Sequence, residues 1–422
     1  MHILLLTQVV PYPPDSGPKI KTYNVLRYLA ARHSVHLVSF VRTAAEVASA
    51  RALQPYCAGI TTVPLRRSRL RDVGYLARSL ATGRPFLIER DDLRAMRTTV
   101  ERLVREHPFD AAHADQLSMG QFAVDLPVPL RVLDEHNAVW TIVRRAAAGE
   151  GRGPRRWLAE LEWRKLRAYE GELCRRFDWV TVVSDEDRAA LAQACGAPYA
   201  AKVIPIAVDT REWSFAPPPP QARHLISLAT MFYPPNAEGV RWFATAVFPL
   251  VRRAVPDTRF YVVGSRPPAH IARLATPESG IVVTGYVADV QPLLQQSALL
   301  VVPVHSGSGM RVKILEGLAR GTPIVSTSIG VEGIDAQHGE HLLVADDPNE
   351  FAAAVIRLLQ HPAEAARLAR AGRALVEARY DWLAALTPLD DIYSHPDRQQ
   401  PLHATRLEDR TLAGAGPRPG AG

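Results

Sequence analysis

The sequence predicts an α/β protein of two doubly wound, Rossmann-like domains facing a cleft. Three observations carry this. Apolar runs of strand length alternate with segments of helical periodicity. The alternation begins afresh after four consecutive prolines, Pro217–Pro220. In each half a glycine-containing loop follows a buried strand and opens a helix. At 422 residues the chain exceeds what one ordinary core organises. Its 47% hydrophobic and 22% charged residues are those of a folded globular protein, and no apolar run approaches the roughly 20 residues of a membrane span.

The elements follow in order. His2 to Thr7 reads as a strand, then come a turn-rich loop, Val10 to Pro18, a helix from Ile20 to Ala31 and a strand from His33 to Phe40. This βαβ opening sets Gly17, Lys19 and Lys21 at the C-terminal end of the first strand, where open parallel sheets bind ligands. Ile60 to Pro64 is a strand, Asp91 to Glu106 a helix, and Phe109 to His113 a strand running into Ala114-Asp115-Gln116. Leu130 to Asp134 is a strand running into Glu135-His136-Asn137, so His113 and His136 both fall at strand ends, without the spacing of a metal site. A helix, Pro154 to Phe177, precedes the strand Asp178 to Val183 and the N-cap Ser184; Lys202 to Ile206 is the last strand before the prolines.

The second half gives strands at His224 to Ala229, Arg259 to Val263, Ile281 to Thr284, Leu299 to Val304, Thr322 to Ser326 and His341 to Val344. Its helices are Asn236 to Ala254, Val312 to Arg320, Pro348 to His361, Ala363 to Ala378 and Asp381 to Tyr393. The domains are expected at 1–210 and 223–378, joined by a Pro-rich linker at 211–222. A helix at 379–393 is expected to pack back on the first domain, and a polar tail at 394–422 to be disordered.

Composition narrows the function. The Met1 to Leu6 start has no signal-peptide character, and Cys57, Cys174 and Cys195 lack metal spacing and cannot all pair, which leads to the expectation of a cytoplasmic protein with free thiols. The net charge of +7 concentrates at Arg66 to Arg71 and Arg144 to Arg176. Such clusters suit an anionic membrane surface at the inner face of the plasma membrane, or a solvated helix whose acids pair with its arginines. No nucleic-acid module is present, so nucleic acid is not expected as a partner.

The loop His305 to Arg311 has an anion-site layout. Two glycines, Gly307 and Gly309, let backbone approach a ligand, the first helical turn offers free N–H groups, and Arg311 and Lys313 add charge. Glu316, one turn on, is placed to accept from sugar hydroxyls, although Lys313 and Glu316 at this spacing also fit a plain surface pair. Only five lysines stand against 45 arginines, and three of them, Lys19, Lys21 and Lys313, lie in the two nominated loops.

With its segment Glu316-Gly317-Leu318-Ala319-Arg320-Gly321-Thr322-Pro323-Ile324-Val325, followed by Gly330 and Gly333, the chain resembles the retaining GT-B glycosyltransferases of family 4, also called glycosyltransferase group 1. Pro11 to Gly17, Asp134-Glu135-His136-Asn137 and Pro234-Pro235-Asn236 are similar to the exopolysaccharide-type sugar transferases among them. The resemblance departs at Ser308, where the family has a glutamate, at Gly17-Pro18, where it has two glycines, and after the strand ending at Ala229, where it has an arginine and a lysine.

The resemblance implies retaining, hexosyltransferase-type transfer from a nucleoside diphosphate sugar to a saccharide or lipid-linked hydroxyl acceptor in exopolysaccharide or cell-surface glycan synthesis. The nucleotide sugar is a co-substrate, with no separate cofactor and no metal. Arg311, Lys313 and His113 are the expected catalytic residues, with His113 at the donor sugar. Glu316, Ser308, Gly309, Met310, Gly285, Tyr286, Val287 and Gly17 are expected to bind donor, and His136, Asn137 and Lys19 to face acceptor. A nucleotide-sugar 2-epimerase of the same fold and a non-catalytic glycan- or lipid-binding relative are the alternatives.

Overall fold

In the computed structural model, which describes residues 1–394 apart from 150, 152, 197, 198, 288 and 308, the strands form two sheets. The first joins β1 (His2–Thr7), β2 (Ser34–Val41), β3 (Gly59–Pro64), β4 (Ala111–Asp115), β5 (Leu130–Asp134), β6 (Trp179–Val182) and β7 (Lys202–Val203), in the order β3-β2-β1-β4-β5-β6-β7. The second joins β8 (His224–Leu228), β9 (Phe260–Val263), β10 (Ile281–Gly285), β11 (Ser297–Val302), β12 (Ile324–Ser326) and β13 (Leu343–Val344), in the order β10-β9-β8-β11-β12-β13. Every pairing is parallel, so the strands are covered by helices on both faces and read as continuous apolar runs such as Ile3 to Leu6. In each sheet the order reverses between the first and fourth strands, β1 and β4, then β8 and β11. The mouth of a ligand crevice is expected beyond the C-terminal ends of those pairs.

Prolines explain where helices differ from the periodicity. The segment expected as one helix from Asn236 to Ala254 is Pro234–Trp242, a π-helical turn Phe243–Val247 and Phe248–Ala254, because Pro249 cannot supply the hydrogen bond the continuous helix would need. Pro388 likewise divides the last helix into Trp382–Leu386 and Pro388–Ser394. The strand expected at Phe109 to His113 runs from Ala111 to Asp115, which brings Asp115 onto its ligand-facing end.

The chain crosses from the first half at residues 204–210 and returns beside its outgoing path. Val208 N–H donates to the Tyr380 carbonyl at 2.9 Å, and Trp382 N–H donates to the Val208 carbonyl at 3.0 Å. The tetraproline lies along the second half, lining a groove with Pro323, Leu358 and Pro362, with Pro218 half-buried and the other three prolines exposed. Beyond the return, Trp382, Leu386, Leu389, Ile392 and Tyr393 complete the core between the first sheet and the helix Gly17–Ala30. Arg27 stacks on Trp382 at 4.3 Å, and Tyr28 donates to Asp390 at 2.8 Å. The polar tail from 395 lies outside the described residues. No helix among the described residues is long and apolar enough to cross a membrane.

Candidate functional site

In the second half, β11 leads through the glycine loop into the helix Val312–Arg320. Gly307 and Gly309 adopt φ of 96° and 83°, the left-handed region open to glycine, and so turn the chain sharply before the helix. Arg311 folds back so that its guanidinium donates to the Gly309 carbonyl, bracing the loop. Lys313 is half-buried and reaches Asn236 Oδ1 at 3.4 Å. Burial, then the neighbouring Arg311, pushes its ammonium down to about 7, while burial pushes the Glu316 carboxyl up to about 7. The pair is thus held where a bound anion or hydroxyl would change its protonation. Ser308 lies outside the described residues. Gly285 ends β10 with φ of 72°, followed by Tyr286, 77% exposed, and half-buried Val287.

The two halves meet at the nominated loops. A Cβ placed on Gly17 would be 3.4 Å from Val312 Cγ2, and one on Gly309 would be 2.3 Å from Asn137 Oδ1. Met310 is 6% exposed, with its Sδ 3.3 Å from the Ile206 N–H, so its side chain packs in the seam and only its backbone is left for a ligand. Arg145 of the helix Val139–Gly149 donates to the Gly307 carbonyl at 2.9 Å and grips Glu332 with both terminal nitrogens, at 2.8 and 2.6 Å. Between Arg145, Trp140, Glu186 and Gly309 lies a polar pocket of about 170 Å³; a larger one, about 490 Å³, lies between Ser184 and Arg379.

Beneath this seam, the ends of β4 and β5 carry a buried polar network. The Lys21 ammonium lies 2.5 Å from Asp134 Oδ1, which also accepts from Thr181 at 2.6 Å. Thr22 donates to Asp115 at 2.9 Å, and His136 Nε2 is 2.9 Å from Asp115 Oδ1. Burial pushes the Asp134 carboxyl up, but the Lys21 ammonium and the two histidines outweigh it and hold the group well below the usual carboxylate range. Asp115, Asp134 and His136 offer ligand atoms within 4.8 Å of one another, compact enough for a cation; the cation that the chain itself places there is the Lys21 ammonium.

Two expectations change. His113, expected at the donor sugar, is fully buried. Its Nδ1 is 2.6 Å from the Tyr393 hydroxyl and its ring stacks on Tyr393, so it supports Asp134 from 3.7 Å and touches no open space. Lys19, expected to face acceptor, pairs with Asp15 at 2.9 Å on the outer side of its helix. Folding also brings Asp115 and Asp134 together from neighbouring strands. Sequence reasoning also missed Arg145 and Arg266. The latter stacks 3.9 Å over Phe232 and so brings a cation to the loop after β8, where the resemblance found one lacking. Its φ of 51°, unusual for arginine, left no trace in the sequence.

Residues 222–361 match the family model described as Glycosyl transferases group 1. Among curated proteins, an uncharacterized 44.6 kDa protein in the cps region of Klebsiella pneumoniae is 24% identical over 165 residues, 37% of this chain and 42% of the relative. Glycogen synthase of Mycobacterium tuberculosis is 26% identical over 273 residues, 60% of this chain and 64% of the relative. The matched regions thus span less than two thirds of either relative. Among solved structures, Anabaena Alr3699/HepE in complex with UDP has a TM-score of 0.64 at 14% identity, covering 93% of this chain and 100% of that one. Sucrose-phosphate synthase from Thermosynechococcus elongatus has a TM-score of 0.64 at 17% identity, covering 94% and 99%. Identities this low speak for the fold, while the family match falls on the half that carries the glycine loop, Lys313 and Glu316. The chain has the GT-B fold, and its residues 222–361 are similar to the glycosyl transferases of group 1.

Proposed function

We propose that the protein transfers a hexose from a nucleoside diphosphate sugar to a hydroxyl of a saccharide or lipid-linked acceptor, with retention at the anomeric carbon and on the cytoplasmic side of the membrane. The observation that carries this reading is the Gly307 to Gly309 loop and its helix, with Lys313 and Glu316, set at the switch point of the second sheet and faced by Gly17. Alr3699/HepE was solved with UDP and with UDP-glucose, which makes UDP-hexoses the first donors to test.

In this mechanism the bond between C1 and the diphosphate oxygen breaks, its electron pair stays on the diphosphate, and the acceptor oxygen bonds to C1 from the same face. The acceptor's proton passes to the departing phosphate oxygen. Charge grows on that oxygen in the transition state, and the helix-start N–H groups, Arg311 and Lys313 stabilise it more there than in the ground state. Lys313, whose ammonium burial holds down to about 7, is fully charged beside the diphosphate. Glu316 holds the ribose diol, and Gly285 to Val287 border the base. The pocket between Arg145, Trp140 and Gly309 receives the acceptor, with Asn137 packed against Gly309 at its edge, while His136, buried against Asp115, acts by positioning that carboxylate. His113 acts by positioning Asp134. These cationic groups do the work of a metal, so no cofactor is called for.

UDP and UDP-glucose should raise the melting temperature, because a ligand selective for the folded state stabilises it by mass action. UDP should then be released in the presence of an acceptor, and Lys313→Ala should lower kcat about 100- to 1,000-fold, the loss typical of a transition-state charge contact. Epimerised donor formed without acceptor would assign an isomerase instead. Stabilisation by nucleotide without turnover of any donor would assign a non-catalytic binding protein.

A further inference from the structure

The helix Arg69–Thr82 turns an apolar stripe to solvent. Leu70 is 85% exposed, Val73 67% and Leu80 49%, and their spacing sets them on one side, while Ser79 on the opposite side is buried and its carbonyl accepts from Lys165 of the neighbouring helix at 2.7 Å. The stripe is flanked by exposed Arg66 and Arg69, neither of which has an ion-pair partner among the described residues. Nearby Arg67 and Arg78, by contrast, are paired to Asp91 and Glu89. The only acid of the helix, Asp72, is half-buried.

Arginines gathered at a helix N-terminus oppose its dipole, and large aliphatic side chains aligned towards water are costly. Both costs are relieved by one kind of surface, anionic where the arginines lie and apolar just beneath. We propose that this face docks on an anionic lipid bilayer, with Leu70, Val73 and Leu80 entering the boundary of the acyl chains and Arg66 and Arg69 at the headgroup phosphates. A second copy is the poorer occupant, because a self-complementary pairing would bring two unpaired arginines against two others. This inference stands on the helix alone and does not depend on the transferase reading.

The full chain floated with phosphatidylcholine vesicles, with and without phosphatidylglycerol, tests it. Binding is expected only with phosphatidylglycerol, and weaker at high salt. Since each basic residue near such a surface strengthens binding about fivefold, R66Q/R69Q should weaken it about 25-fold. L70D/V73D should weaken it at least tenfold, with melting temperature and UDP affinity unchanged in both variants. Equal binding to neutral vesicles, no binding to anionic ones, or wild-type binding by either variant would overturn the proposal. So would a dimer, seen by light scattering, that L70D/V73D dissociates.

Discussion

Two buried ion-bearing positions in the first half behave in opposite ways. Asp134 has Lys21 beside it; Glu135, the next residue, is fully buried with neither carboxyl oxygen hydrogen-bonded. Burial first, then the nearby Glu170 and Asp134, pushes Glu135 well above its ordinary value, and burial pushes Glu170 up to about 8. An acid with a raised folded-state pKa is protonated in the fold and ionised in the unfolded chain, so its effect on stability worsens as pH rises above roughly 4.3, the unfolded value. Glu135→Gln should therefore raise the melting temperature, with a gain that grows between pH 5 and pH 8; a pH-independent gain would contradict the assignment. For Asp134 the sign is reversed, its stabilisation being present above roughly pH 4 and lost below it. Lys21→Met should cost about 3–5 kcal/mol at pH 7 by denaturant unfolding, and less at pH 4, because it leaves a buried carboxylate unpaired. Adding Asp134→Asn should recover most of the loss. The residues of this network were visible in the sequence as two histidines at strand ends, but their partners were not. Lys21, Thr22, Thr181 and Tyr393 are brought together by topology, from separations of up to 280 positions, and no local pattern encodes that.

Of the elements, the glycine loop was the most legible. Strand, small residues, basic helix start and the Gly321 stop all stand in one continuous stretch, and Gly321 indeed closes the helix with φ of 83°. Its contact with Asn137 was not legible, because that partner belongs to the other half. An alanine at 309 would have to adopt a left-handed conformation, at about 1–2 kcal/mol, and would collide with Asn137 Oδ1. Gly309→Ala should weaken UDP binding measured by calorimetry, and Asn137→Gly in the same chain should restore part of it by removing the collision. The helix Arg69–Thr82 failed to register for a related reason. Its flanking arginines were read as a charge cluster, and periodicity alone does not say whether an apolar stripe faces a core or the solvent.

For the molecule as a whole, the repeated strand order was foreseeable, since parallel strands joined by helices leave few topologies once right-handed crossovers are required. The return of the C-terminal helices was also read from the sequence. What was missing was its depth, for Ile392 is fully buried against the first sheet. Ile392→Asp should accelerate amide hydrogen exchange in β1, β2 and the helix Gly17–Ala30 while leaving β8 and β11 protected. Uniform acceleration in both sheets would instead mean that the halves unfold as one unit.

That return has a consequence for biosynthesis. Synthesis proceeds from the N-terminus, and the last strand of the first sheet is made by Val203, yet the residues that seal its core begin only at Trp382. At roughly 5–20 residues per second, about 10–35 s pass between the two on the ribosome. During that interval the helix Gly17–Ala30 packs on the first sheet but lacks the cover that Trp382 gives Tyr28, while the second half, whose sheet is contiguous in sequence, can fold ahead of the half that was made first. The nascent first half is therefore where a chaperone would be needed, and it is released from that need by the end of the chain.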